Sequence, residues 1–209
     1  MAKPRFQRRK EERPAEITQA AMETFAEHGY AAARVDDVAK RAGVSKGLLY
    51  LYFKTKEELF KAVIRSVVVP RIDALKSAIT DSELSAEAFL RGPFLDFIQK
   101  LPDSPARIVV RLLVAEGPKH PDLTAYYYDQ VVSGGIDALR QLINKGVKQG
   151  EFRQSRLDEF PQLLIAPVLV SIIWKTLFEK YLPLDTDKLL QTHIDLIVTA
   201  IKAPAGGAT

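Results

Sequence analysis

Val35-Asp36-Asp37-Val38-Ala39-Lys40-Arg41-Ala42-Gly43-Val44-Ser45-Lys46-Gly47-Leu48-Leu49-Tyr50-Leu51-Tyr52-Phe53 is the stretch that decides the fold. Its apolar residues Val38, Ala39, Val44, Leu49 and Phe53 fall where two short helices joined by a tight turn clamp each other. Ala39 is small enough to let the helices approach, and Gly43 supplies the backbone freedom the turn needs. Ser45 carries the hydroxyl of an N-cap for the second helix. The pattern has the mechanics of a helix-turn-helix. Ser45, Lys46, Gly47, Leu48, Tyr50 and Tyr52, followed by Lys56, remain outward, a polar and basic face that a major groove would accept.

The flanks extend the same helical reading. Ile17, Ala21, Thr24, Phe25 and His28 recur at helical spacing, with Pro14 suited to a first turn and Gly29 to a C-terminal stop, so a first helix of about four turns is predicted. Thr55 is a natural N-cap for a long fourth helix with Glu57 and Glu58 in its first turn and a stripe of Leu59, Phe60, Val63, Ile64 and Val67. Further helices are predicted over 86–101, 106–116, 122–148, 157–181 and 186–202, separated by breaks at 102–105, 117–121, Gly150 and Pro183. The fold class is therefore all-α. It comprises a basic arm (1–13), a three-helix helix-turn-helix head (14–56), a helical-bundle body (57–202) for dimerisation and ligand binding, and a frayed tail (203–209).

Composition narrows the function. The 209 residues contain no cysteine, which excludes disulfides, thiolate metal sites and cysteine nucleophiles and allows a reducing compartment. A cytoplasmic setting is expected, because no apolar run follows the basic start and the longest uncharged stretch, 160–174, is too short to span a bilayer. The net charge of +4 is unevenly placed: residues 1–56 hold 12 Lys/Arg against 7 Asp/Glu, and the remainder 18 against 19. A local basic surface suits a polyanion. Lys3, Arg5, Arg8, Arg9 and Lys10 form either a solubilising tail or an arm for an adjacent minor groove. His28, His120 and His193 lie far apart without metal-ligand spacing, and no phosphate loop or nucleophile elbow is present, so no enzyme activity, metal or cofactor is expected.

At the quoted stretch the sequence resembles the tetracycline-repressor (TetR) family of bacterial regulators. The resemblance rests on Val35, Val38-Ala39, Ala42-Gly43-Val44-Ser45, Gly47, Leu49-Tyr50, Tyr52-Phe53, Lys56 and Leu59, preceded by Ile17, Ala20, Ala21, Phe25, Gly29 and Tyr30. It covers 14–63. It implies that Lys46 and Leu48 face base edges and that Tyr50, Tyr52 and Lys56 touch phosphates. Leu48 could read only a thymine methyl. Arg34 stands where the family has a capping Thr or Ser, which weakens the cap and adds a phosphate ligand.

The resemblance further implies a homodimeric body with a small-molecule effector that releases operator DNA. A body that only dimerises is the alternative. Candidate pocket residues are Phe94, Phe97, Arg111, Tyr126, Tyr127, Trp174 and Phe178, with Phe89 and Tyr128 nearby in sequence. The segment 163–174 is apolar nearly all round and must be covered by its own core or by a second chain. A two-fold four-helix seam built from Leu164, Val168, Ile172, Leu190, Ile194, Ile197 and Ile201 is expected. Gly134 and Gly135, inside a helical pattern, call for a kink or close packing.

Overall fold

A computed structural model describes the backbone of residues 5–204 and the side chains of 12–204. Lys3 and the tail from 205 onward lie outside these, as do the side chains of Arg5, Arg8, Arg9 and Lys10. The described residues form helices α1 (Arg5–Ala32), α2 (Val35–Arg41), α3 (Lys46–Tyr52), α4 (Lys56–Val67), α5 (Val69–Asp81), α6 (Ala86–Phe89), α7 (Leu95–Lys100), α8 (Ala106–Glu116), α9 (Pro121–Tyr127), α10 (Ser133–Lys148), α11 (Gln162–Leu177) and α12 (Thr186–Ile201). One-turn π segments, Leu90–Phe94 and Tyr128–Val132, join α6 to α7 and α9 to α10.

The boundaries follow local chemistry. Ser45 and Thr55 accept hydrogen bonds from the Leu48 and Glu58 amides, capping α3 and α4 as expected. Helix α1 begins at Arg5, not at Pro14, and Gly29 (φ 74°, ψ 167°) interrupts it where the sequence places a stop. The long fourth helix ends at Val67. Pro70, which lacks an N–H and crowds the preceding turn, sits in the first turn of a separate α5, in a segment to which the sequence pattern assigned no helix. Pro167 leaves the Leu163 carbonyl without its helical partner, and His193 of α12 supplies one at 2.7 Å from Nε2.

Two apolar clusters hold the chain together. The first joins the head to the near end of the body through Ile17, Ala21, Phe25, Leu49, Phe60, Val109 and Leu112; the second fills the bundle. Leu164, Val168, Ile172, Leu190, Ile194 and Ile201 are all buried in that second cluster, with Ile197 half-buried against it, so this set packs within one subunit instead of forming an outward seam. The outward face of α11 carries Leu163, Val170, Ile173 and Leu177 at helical spacing, flanked by Phe160 and by Leu196 of α12. Gly134 and Gly135 lie just after the second π segment, and a Cβ added to them would stand 3.4 Å from Lys76 Nζ and 4.0 Å from Ile72 Cγ2 of α5.

Gly146 is the tight spot. A Cβ there would lie 2.3 Å from Phe152 Cδ2 and 2.9 Å from Ala86 Cβ. Overpacking of this kind costs about 1–3 kcal/mol, against a helix-propensity gain of roughly 1 kcal/mol. Gly146→Ala is therefore expected to lower the midpoint of thermal unfolding, and an unchanged or raised midpoint would show that Phe152 yields freely.

Candidate nucleic-acid interface and body cleft

The head presents α3 on a fixed base. Val38, Ala39, Leu49 and Phe53 are buried between α2, α3 and α1, and Gly43 (φ 65°) makes the turn, with the Val44 amide donating to the Ala39 carbonyl at 3.0 Å. Lys46 and Gly47 are exposed, Leu48, Tyr50 and Tyr52 half-buried, and nothing stands within 4 Å of where a Gly47 Cβ would be. A surface can thus approach the backbone of α3 at its first turn. Ser45, also exposed, spends its hydroxyl on the cap.

Lys46 Nζ pairs with Asp36 Oδ1 at 2.7 Å, and the carboxylate holds the ammonium above the usual lysine range. Because this ion pair is exposed, it contributes little, and a phosphate or base acceptor can replace Asp36 at small cost. Arg34 is exposed at the N-cap of α2 and makes no side-chain capping bond; Asp36 and Asp37 occupy the first turn behind it. Leu51, 71% exposed, is an apolar side chain on the same short helix that the sequence reading passed over. Its signal was available: two positions after the buried Leu49, it cannot point into the same core.

Lys56 is placed differently from expectation. Its Nζ donates to the carbonyls of Tyr30, Ala31 and Ala33 at 2.8, 3.0 and 3.3 Å and lies 4.7 Å from the Tyr30 ring centroid. Partial burial pushes its pKa down, opposed by Glu116. The side chain ties the end of α1 to the start of α4, and a positive charge there complements the orphan carbonyls. Lys56→Ala is expected to cost about 1–2 kcal/mol of stability, read by thermal or denaturant unfolding without DNA. Full stability in that variant would return Lys56 to a purely surface role.

The seven expected pocket residues do not converge. Phe94 is fully buried in the bundle core, and Phe97 is half-buried between the clusters. Trp174 and Phe178 pack edge to face with ring centroids 5.2 Å apart, and Trp174 Nε1 donates to the Leu182 carbonyl. Tyr126 accepts from Arg65 at 3.2 Å, and burial pushes the Tyr127 hydroxyl up to about 12. Arg111 alone of the seven lines the cleft of about 350 Å³ between α1, α8 and α11, together with Ala26, Arg107, Ile108, Ile172, Lys175 and Thr176. Arg107 and Arg111 lie one turn apart on α8, a spacing visible in the sequence, whereas Lys175 joins them only through the fold. Among the described residues, no group of three or more His, Cys, Asp or Glu is placed to hold a metal, and no helix is long and apolar enough to cross a membrane.

Comparison with known proteins matches this layout. Residues 17–63 match the bacterial regulatory proteins of the tetR family, and residues 88–200 match the C-terminal domain of AefR-like transcriptional repressors. The chain is 24% identical over 196 residues to the fatty acid metabolism regulator protein of Bacillus subtilis, covering 92% of this chain and 98% of that one. It is 25% identical over 195 residues to the transcriptional repressor KstR2 of Mycolicibacterium smegmatis, covering 91% of each. The crystal structure of FadR from Bacillus subtilis in complex with stearoyl-CoA superposes with a TM-score of 0.73 at 24% identity, covering 90% of this chain and 98% of that one. With a helix-turn-helix head and a repressor-type helical body both matched, the chain belongs to the tetR family of bacterial transcriptional regulators.

Proposed function

We propose that the protein binds a two-fold operator as a homodimer, one α3 in each of two successive major grooves, and represses until a small molecule held in the body shifts it to a non-binding geometry. The observation that carries this reading is the solvent-facing surface of α3, where Lys46, Gly47, Tyr50 and Leu51 stand on a helix whose inner side is locked by Leu49. The dimer forms through the exposed apolar face of α11 and Leu196 of α12, a surface too apolar to suit water alone. Effector control draws support from the body's match to repressor C-terminal domains and from the stearoyl-CoA complex of FadR. A DNA-binding dimer without an effector differs in one respect: no metabolite would change its operator affinity.

Selection of duplexes from a random pool tests the reading. Enrichment of a palindromic site whose half-sites lie about one helical turn (~10 bp) apart is expected, and recovery of unrelated sequences would overturn it. On the enriched site, Lys46→Ala is expected to relax the preferred base at one position of each half-site, with discrimination there falling by about 1–3 kcal/mol. Tyr50→Ala is expected to weaken binding evenly across sequences. Equal loss on all sequences from Lys46→Ala would remove its base-reading role.

A further inference from the structure

The cleft between α1, α8 and α11 is lined by three cations. Arg107 and Arg111 come from α8 and Lys175 from α11, with the apolar walls Ile108 and Ile172 beside them. Among the described residues their carboxylate neighbour is Asp103, which accepts from Lys175 Nζ at 2.8 Å on each oxygen and stands 4.0 Å from Arg107 Nη1. Asp103 is itself 65% exposed. Among the described residues Arg111 has no carboxylate partner of this kind: its Nη2 donates to the backbone carbonyl of Ala26 in α1 at 2.9 Å. That carbonyl is three residues before the break at Gly29, close to the point where α1 hands over to the turn leading into α2.

Resting on the effector-controlled reading above, we infer that this cleft seats an oxyanion of the phosphate class and that Arg111 reports its arrival to the DNA-binding head. Three cations around one carboxylate leave charge for an incoming polyanion, and a guanidinium matches phosphate oxygens with a forked pair of charge-assisted hydrogen bonds. A forked pair to an anion, with charge on both partners, is stronger than the single bond the guanidinium makes to the neutral Ala26 carbonyl. When the anion binds, Arg111 turns from α1 to the ligand and the tie between α8 and the head is given up. The two geometries then differ in anion affinity, which is the condition for a ligand to shift the balance between them. The volume is at the lower end of the range for small-molecule sites, which fits a phosphate or pyrophosphate group borne on a larger ligand whose remainder extends out of the cleft.

The test uses the full chain with two probes, inorganic pyrophosphate and coenzyme A, titrated by calorimetry without DNA and then added to the operator complex, with sodium chloride at matched ionic strength as the control. Binding of either probe that weakens at least about tenfold in both Arg107→Gln and Lys175→Gln supports the seat. Pyrophosphate binding identifies a free oxyanion as sufficient, and binding of coenzyme A alone identifies a phosphate carried on an organic ligand. The operator affinity with probe relative to that without is expected to fall about tenfold or more in the parent protein and to stay near one in Arg111→Ala. Failure of both probes to bind, or binding unaffected by Arg107→Gln and Lys175→Gln, overturns the seat. Undiminished release in Arg111→Ala overturns the coupling. Neither failure touches the operator-binding reading, which the duplex selection decides separately.

Discussion

A chain carrying both Ile173→Glu and Leu177→Glu is expected to sediment as a folded monomer and to bind a two-fold operator at least about a hundredfold more weakly than the parent. Both side chains lie on the outward face of α11, 42% and 55% exposed, so a carboxylate at either position reaches water in the isolated subunit and disturbs no core packing. In the proposed dimer the same carboxylates would meet their symmetry copies across a two-fold axis, desolvated and of like charge. The loss of operator affinity then comes from the loss of linkage, because each head alone must bind without the high effective concentration provided by its partner. Circular dichroism checks the fold and sedimentation equilibrium the mass. A variant that remains dimeric contradicts the assignment of the face.

Leu190→Ala, on α12, is expected to do the opposite: to destabilise the subunit by about 2–5 kcal/mol through a cavity in the bundle core. Leu190 is fully buried within one chain, beside Leu164, Val168 and Ile194. If it instead lay in a subunit seam, its truncation would weaken association and leave monomer stability nearly intact. Denaturant unfolding at several protein concentrations distinguishes the two. A midpoint lowered equally at every concentration places Leu190 in the subunit core, and a loss confined to low concentration places it in the seam.

The contrast between these two predictions also marks where sequence reasoning stops. In the head, signals are local: Ser45 and Thr55 cap helices beginning at the next residue, Gly29 and Gly43 take positive φ, and Leu49 and Phe53 sit one turn apart on a single buried side. These features fix the helix-turn-helix without knowledge of the remaining chain. Helix α11 offers no such signal. It is apolar on both faces, so the choice between Leu164, Val168 and Ile172 as inner side and Leu163, Val170, Ile173 and Leu177 as outer side depends on where α7, α8 and α12 pack. The expected seam took the inner set.

Lys56 and Arg111 show the same limit at the level of single side chains. The sequence gives their charge, while their partners, the carbonyls at the end of α1, lie 23–26 and 85 residues away along the chain. Pro70 is legible as a helix breaker, yet the expected helices, with a stripe ending at Val67 and the next beginning at 86, leave α5 between them unassigned. Phe94, Trp174 and Phe178 share an aromatic type, and type does not bring residues together: Phe94 is core, while Trp174 and Phe178 pair with each other near the surface.

Sequence-specific operator binding by α3 is tested directly by one titration. The selected duplex and a scrambled duplex are titrated with the purified protein over a range of salt concentrations, with the stoichiometry read at saturation. Two subunits per duplex, a steep fall of affinity with salt from several phosphate contacts, and a preference for the selected site of about a thousandfold or more are predicted. Equal affinity for both duplexes at every salt concentration would contradict the account.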